Sequence, residues 1–301
     1  RQMCIRDSSY TDMYLNVASV YGSGDYFPTL NPQPMLPRNV LINDGIEKAV
    51  TFDNNLTYTN TSGLFDNLFQ LGFDYQWFKN SWGANTPSGL NWGTVDPFNP
   101  SIFTPGDASA YELADYWRNK WQFGIYGQAQ TIVNEFLLLK VGARWDKVSI
   151  DSGSDDSRIT ITKGQLDDTH FSWNAGIMLL NDYGISPYVN YSEAFFANAS
   201  LAYSGGVYGL TEPTNTKQIE YGLKLTPNWL DGFVNIAFFN LKQDNAMTPS
   251  LVNGAPAWVP VNIQKANGIE VQARASVFKH LTFDVSYTYL DKTDGDDEVR
   301  T

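Results

Sequence analysis

Few side chains in this chain of 301 residues are of a type that performs catalysis or binds a metal ion. The chain contains two histidines, His170 and His280, and a single cysteine, Cys4. His280 falls in a predicted tight turn and His170 at the start of a predicted strand, and no motif places a Ser or Cys nucleophile beside either of them. No Cys and His spacing matches a zinc site. These observations argue against an enzyme and predict no catalytic residue, no metal site and no cofactor.

Two acidic stretches, Asp151–Asp156 and Asp291–Glu298, are the remaining candidates for cation binding. The second lacks the alternating order of carboxylates that a calcium loop needs. Both stretches are typical of solvated loop tips, and we assign them no site.

Aromatic side chains in the predicted loops are candidates for binding an organic ligand. They fall within three loops, and the set is Trp82, Trp92, Tyr111, Trp117, Tyr203, Tyr208 and Trp258. Ligand sites are commonly lined by aromatic side chains with a few polar groups among them. Any one of these residues could instead pack a loop in place, but together they predict the mouth of a ligand site.

The composition limits the partners that the protein can have. The formal charge of −12 argues against nucleic acid, because nucleic-acid-binding proteins present basic surfaces. The sequence contains no run of about 18 apolar residues, so it predicts no transmembrane helix. Aromatic residues make up 15% of the chain, and Tyr and Trp suit the boundary between a membrane and water.

The elements that would position these residues are strands. In Ile269–Val277 the odd-numbered residues are apolar, and the even-numbered ones are Glu270, Gln272, Arg274 and Ser276. Because strand side chains alternate between two faces, this pattern predicts one apolar and one polar face. We count eleven such segments, near 12–21, 46–60, 65–78, 120–133, 137–150, 169–180, 184–195, 214–225, 232–245, 263–277 and 281–290.

The connections between these segments alternate strictly between short and long. The short joins are Asn60–Leu64, Asn134–Phe136, Asn181–Tyr183, Thr226–Gly232 and Phe278–His280. The long loops are Ser23–Gly45, Lys79–Asn119, Asp151–Asp168, Asn198–Pro213 and Ala246–Asn262. All the long loops therefore fall at one end of the strands, as in barrels of the bacterial outer membrane, which have short periplasmic turns and long outside loops.

Alternation by itself fits a soluble antiparallel sandwich as well as a barrel. Strand length, turn asymmetry and the lack of helical periodicity favour the transmembrane barrel, because a tilted strand needs roughly 9–11 residues to cross a bilayer. Charged side chains on the polar faces are then predicted to face the lumen: Glu220, Lys224, Glu270, Arg274 and Asp284. Since bacterial single-chain barrels have even strand numbers, eleven strands predict a partial barrel.

The two ends of the chain differ from the rest. Arg1–Ser8 shows no strand alternation and no signal-peptide pattern, so we expect a disordered start or a segment foreign to the remaining chain. Residues 9–301 are predicted to form the partial barrel domain. The stretch from Asp291 to Thr301 is polar, and we interpret the chain as an interior piece of something longer.

Several motifs give a family resemblance over roughly residues 9–291. Ile185–Phe195 (ISPYVNYSEAF) followed by Thr211–Leu225 (TEPTNTKQIEYGLKL) resembles paired strands of TonB-dependent siderophore receptors. Val141–Asp146 (VGARWD), Val261–Ala275 (VNIQKANGIEVQARA) and Asp96–Asn99 (DPFN) resemble further motifs of that family, the last one in its ferrichrome-like members. Ala194 departs from the family, which usually has Ser there.

The resemblance implies a 22-stranded barrel enclosing a plug domain, of which this chain holds about half the barrel and no plug. It also implies a monomeric receptor in the bacterial outer membrane, in contact with its lipid. Such a receptor takes up a ferric siderophore and is energised by TonB through the plug. The alternatives are a receptor for another substrate, such as a corrinoid or a glycan, a passive porin, or a soluble all-β binding module. The sequence does not identify the siderophore.

Overall fold

The computed structural model describes residues 2–22, 36–84, 90–96, 98–99, 101, 114–155, 163–197, 201–204, 207–252, 255–277, 281–294 and 298–299. Strands joined by turns make up these residues. Within them, no helix is long and apolar enough to cross a membrane.

The described residues form fifteen strands. They are β1 (Gln2–Gly22), β2 (Leu36–Ser62), β3 (Phe65–Ala84), β4 (Leu90–Val95), β5 (Ala114–Val133), β6 (Leu137–Ser154), β7 (Lys163–Leu179), β8 (Ile185–Phe196), β9 (Leu201–Ser204), β10 (Val207–Leu210), β11 (Thr214–Leu225), β12 (Gly232–Val252), β13 (Ala255–Val277), β14 (Leu281–Asp294) and β15 (Glu298–Val299).

The long strands form one antiparallel sheet in nearly sequential order. The order is β1-β2-β3-β5-β6-β7-β8-β11-β12-β13-β14-β15, with β4 paired to β2 as the thirteenth strand. Each of the eleven predicted segments corresponds to one long strand. The short strands β4, β9, β10 and β15 lie in regions predicted to be loops. The prediction of an all-β antiparallel architecture is therefore confirmed.

The short turns adopt conformations that hold the hairpins closed. Gly63 and Gly184 have φ of +59° and +71°, a region that glycine enters without steric cost. Asn181 Oδ1 accepts hydrogen bonds from the backbone N–H groups of Tyr183 and Ile185, at 3.0 and 3.2 Å. We call this end of the sheet the short-turn end and the opposite end the long-loop end.

Two expectations about segments differ from the structure. The predicted loop Ala246–Asn262 is mostly an extension of the β12–β13 hairpin, whose pairing continues from Ala246↔Val261 to Val252↔Ala255. The expected irregular start is strand as well, because β1 begins at Gln2, which pairs with Tyr58. In both places the strands stay paired although their side chains do not alternate between apolar and polar. The hydrogen bonds between strands join main-chain groups, so they do not require an apolar face.

The two faces of the sheet differ in exposure. Phe171 and Leu71, on the apolar face, are 58% and 62% exposed, whereas Ser172, on the polar face, is 8% exposed. Side chains of the polar face also reach across intervening strands, as when Lys120 Nζ of β5 donates to the Ala197 carbonyl after β8, at 3.3 Å. Both observations indicate that the polar face is the concave one. In β14 the apolar residues Phe283, Val285 and Tyr287 are exposed, but the polar residues between them are exposed as well, so exposure does not distinguish the two faces of this strand.

Glycines on the polar face lie beneath large side chains of neighbouring strands. A Cβ added to Gly72 would overlap the ring of Tyr126, and one added to Gly222 would meet the ring of Tyr188 and the Ile236 carbonyl. The missing side chains leave room for these rings to lie flat on the wall.

A small buried cluster lies towards the long-loop end of the polar face. Val148 and Ile150 of β6 are completely buried, together with Ala197. Leu166, Phe195 and Leu210 pack against them. Since Leu210 ends the β9–β10 hairpin, the connection between β8 and β11 is folded onto the wall instead of projecting away from it.

Candidate functional site

The centre of the polar face holds an ion network built from three strands. Arg144 of β6 donates from Nη2 to Asp146 Oδ1 at 2.7 Å and to Asp74 Oδ1 of β3 at 3.0 Å, and from Nε to Asp146 Oδ2 at 2.8 Å. Gln122 of β5 donates to the same Asp146 at 3.0 Å. Arg144 can reach Asp74 because Gly124 has no side chain in the space between the two strands. The network fixes these side chains against the wall and offers polar atoms to whatever fills the concave side.

Two tyrosines extend this polar surface on either side of the network. Tyr126 donates to Asp53 at 3.2 Å, and Tyr188 donates to Glu220 at 2.7 Å. The ammonium group of Lys224 lies 5.3 Å from the centre of the Tyr188 ring, a distance compatible with a cation–π contact.

The five predicted polar residues lie on one face of the sheet. Glu220 and Lys224 are on β11, and Glu270 and Arg274 follow two strands further along, on β13. Arg274 is directly opposite Asp284 of β14. Directly opposite residues of antiparallel strands share a face. Glu220 is opposite Phe239 of β12, and Phe239 is opposite Gly268 of β13. Since every second residue of a strand shares a face, Glu270 and Arg274 lie on the same face as Gly268 and Glu220.

An aromatic and cationic cluster lies at the long-loop end of the same face. Trp82 of β3 is stacked on Tyr116 of β5, with ring centroids 5.4 Å apart and planes 14° apart. The Arg118 guanidinium carbon lies 5.7 Å from the centre of the Trp82 ring. Trp82 fits there because its cross-strand neighbour is Gly45, where an added Cβ would lie only 2.8 Å from the Trp82 Cβ.

A cleft adjoins this cluster on the side of β1 and β2. Its volume is about 250 Å³, and Trp82, Asn80 and Glu47 line it together with Met13 and Leu15. Asn80 donates to Glu47 at 3.4 Å. The cleft therefore combines an aromatic wall, apolar side chains and hydrogen-bonding groups, which is the usual make-up of a site for an organic ligand.

The structure brings together only part of the predicted aromatic set. Trp82 lies in the cluster just described, whereas Trp117 lies on the opposite face of β5, since it is adjacent in sequence to Tyr116 and Arg118. The backbones of Trp92, Tyr203, Tyr208 and Trp258 lie in β4, β9, β10 and β13, but their side chains are outside the described residues. Tyr111 is outside the described residues altogether.

Sequence reasoning missed Arg118, and it did not place Tyr116 among the predicted site residues. Both were assigned to a long loop between residues 79 and 119, whereas β5 begins at Ala114. The signal was the alternation of Tyr116, Arg118 and Lys120 on one face of a strand.

The described residues contain no group of three or more His, Cys, Asp and Glu side chains that could hold a metal ion. The described part of the polar face offers hydrogen bonds, charged groups and stacked aromatic rings.

Comparison with known proteins places this geometry in a family. The family model described as "TonB dependent receptor-like, beta-barrel" matches residues 6–301. The chain belongs to this family. Its members are outer-membrane β-barrels of Gram-negative bacteria that act as receptors and transporters and not as enzymes. The predicted family, its outer-membrane location and the expectation that the protein is not an enzyme are confirmed.

Two curated relatives are similar over most of the chain. The ferrichrome outer membrane transporter/phage receptor of Escherichia coli K12 is 26% identical over 263 residues, which cover 85% of this chain and 34% of that protein. The ferrioxamine receptor of Yersinia enterocolitica is 25% identical over 305 residues, 97% of this chain and 41% of that protein. The chain thus spans about a third to two fifths of the length of these relatives.

Solved structures show the same fold. The closed form of the ferric-catecholate import receptor Fiu from Escherichia coli K12 superposes with a TM-score of 0.77 at 18% identity, over 98% of this chain and 46% of that one. The siderophore receptor PiuA from Acinetobacter baumannii gives a TM-score of 0.76 at 15% identity, over 100% of this chain and 46% of that one.

Proposed function

We propose that the whole protein to which this chain belongs takes up a ferric siderophore across the outer membrane. The observation that carries the proposal is the similarity to receptors named for ferrichrome and ferrioxamine over 85% and 97% of the chain. The protein crosses the membrane as a monomer, and its apolar face contacts the outer-membrane lipid.

Energy for transport comes from TonB, which acts through the plug domain that the family resemblance implies. The concave polar face borders the water-filled interior around that plug, with Glu220, Lys224, Glu270, Arg274 and Asp284 lining it. A wet interior agrees with the charged side chains at mid-strand, which lipid would not tolerate.

Binding begins at the long-loop end, where Trp82 and Tyr116 form an aromatic wall. The ferric ion stays inside the oxygen ligands of the siderophore, so the protein needs no metal ligands of its own and contacts only the organic periphery. Trp92, Tyr111, Tyr203, Tyr208 and Trp258 remain predicted ligand contacts at the long-loop end, whereas Trp117 faces away from the concave side.

Deleting residues 87–110 from the full-length receptor tests the proposal. The segment holds β4 and, directly after it, a turn in which Asp96 Oδ1 accepts hydrogen bonds from the backbone N–H groups of Phe98 and Asn99, at 2.9 and 3.2 Å. We expect loss of ferric-siderophore binding with normal barrel assembly, since β3 and β5 can still pair through a shorter loop and loop length costs little. Binding to whole cells and growth on the ferric chelate as sole iron source are the measurements.

A deletion of residues 156–161 is the matched control. That segment also joins two strands at the long-loop end, but it contains no aromatic residue. It should leave binding intact. Undiminished uptake in the 87–110 deletion, with the receptor present in outer membranes, would show that this loop only packs on the barrel.

A further inference from the structure

Arg118 is poorly satisfied for a guanidinium group in a folded protein. It is partly buried, and its Nε atom is buried without a hydrogen-bond partner among the described residues. Its guanidinium carbon lies 5.7 Å from the centre of the Trp82 ring, within the range of a cation–π contact. A buried donor without an acceptor costs free energy comparable to a lost hydrogen bond, and more when the group is charged.

The opposite strand contains a second unsatisfied atom. Asn80 is directly across from Arg118 in the β3–β5 ladder, and its Oδ1 is also buried without a partner, although its Nδ2 donates to Glu47. An acceptor and a donor thus lie on facing residues, and one of the two, Asn80, lines the cleft. Both atoms are buried, so a ligand oxygen that approaches from the concave side would meet the outer nitrogens of the Arg118 guanidinium group.

The charged groups near this position on the concave side are Arg118 and Lys120 of β5, Glu47 of β2, and Asp146 of β6, which acts on Lys120. Lys120 follows two residues later on the same face of β5, and Glu47 is the one carboxylate lining the adjoining cleft within the described part of the chain. Asp115 and Asp151, the nearby acidic residues of β5 and β6, lie on the opposite face, because they alternate with Tyr116 and Ile150. Arg118 and Lys120 thus place two cations on the same face of one strand in a chain whose formal charge is −12.

From this arrangement we infer that Arg118 is a specificity-determining residue that recognises an anionic oxygen of the ligand. The preferred ferric chelate therefore carries net negative charge and a planar group that stacks on the Trp82 and Tyr116 rings. Arg supplies several donors in a fixed plane, which suits carboxylate or phenolate oxygens better than neutral carbonyl groups. This inference rests on the proposed function and narrows its substrate class.

The test compares two probes of similar size on the full-length receptor in detergent: an anionic ferric tris-catecholate and a neutral ferric tris-hydroxamate. Binding is followed by quenching of tryptophan fluorescence in the wild type and in Arg118→Gln and Arg118→Lys. Arg274→Gln is the matched control, because Arg274 lies on the same face near the short-turn end, where it is opposite Asp284.

We expect the wild type to bind the anionic chelate more tightly than the neutral one. Arg118→Gln should weaken the anionic chelate about ten- to hundredfold, as for a lost hydrogen bond to a charged group, and leave the neutral chelate unchanged. Arg118→Lys should recover part of the loss, and Arg274→Gln should bind like the wild type.

Other outcomes overturn the inference in distinguishable ways. Equal weakening of both chelates in Arg118→Gln would show that the residue only supports Trp82. Tighter binding of the neutral chelate by the wild type would refute the charge preference and leave the proposed function standing. Binding of neither chelate would refute the proposed function and this inference with it.

Discussion

At the scale of single residues, two positions adjacent in a strand require different side chains, because one faces the apolar side of the sheet and the next faces the polar side. Val271 is paired with Ile236 and Tyr287 on the apolar face, and the next residue, Gln272, is paired with Asn235 and Ser286 on the polar face. Val271 lies four residues from Ala275, which is opposite the first residue of β12, so it is near the middle of the membrane-crossing part.

Arginine at these two positions should therefore have unequal costs. Val271→Arg is expected to lower the free energy of unfolding of the full-length receptor by about 2–4 kcal/mol, because the charge would enter lipid near the midplane. Gln272→Arg should be mild, since its side chain points to the concave side. Urea unfolding in lipid vesicles measures both values, and similar costs would contradict the assignment of faces.

The fate of individual site residues shows how far sequence alone could reach. Alternation was enough to place Glu220 and Arg274 on a common face, because side-chain direction in a strand depends only on position along it. Trp82 and Trp117 were grouped by their presence in one loop, and loop membership carries no directional information. Their opposite facing became evident only when β3 and β5 proved to extend to Ala84 and back to Ala114.

At the scale of the elements, the sequence predicted all the long strands and misjudged mainly their ends. Inside the bilayer the lipid-facing side chains of a strand must be apolar, so the alternation of apolar and polar residues in the sequence shows where the strands are. Where the strands extend past the bilayer, their outer face meets water instead of lipid. The alternation of apolar and polar residues ends there, although the backbones remain paired. The Ala246–Asn262 segment is the clearest case, because its ladder runs to Val252 and Ala255.

The contact of a glycine with a neighbouring ring gives a prediction about sheet packing. Gly72→Ala should destabilise the full-length receptor by about 1–3 kcal/mol, because the new methyl group would overlap Tyr126, and overpacking carries a cost of that size. Gly127→Ala is the control, since its Cβ would meet nothing closer than 3.7 Å. Unfolding in lipid vesicles is the measurement.

The double variant Gly72→Ala with Tyr126→Ala tests the cause of this effect. Once the ring is absent, adding a methyl group at position 72 should carry no cost of its own. If the cost persisted, the strain would come from the backbone and not from the ring.

At the scale of the whole molecule, energy dependence separates a receptor of the proposed kind from a passive porin. Collapsing the proton gradient in cells should leave binding of the ferric siderophore unchanged and stop its uptake, because TonB draws its energy from the inner membrane. Radiolabelled iron that stays with the cells after washing measures binding plus uptake. The iron that remains after external chelation measures uptake alone. Continued uptake in de-energised cells would favour the porin.

The nearly sequential order of strands also bears on how the chain folds. Almost every strand in the main path pairs with its neighbour in sequence, and the largest detour, from β8 to β11, skips only the local β9–β10 hairpin. When a strand pairs with the strand before it, the loop that closes is only the segment joining the two. The entropy cost of that closure depends on the length of this segment and not on the length of the whole chain. The sheet can grow by adding one hairpin at a time, with each completed strand serving as the template for the next. We expect the shortest connections, such as Gly63–Leu64, to close first and the long outside loops to set the pace of assembly.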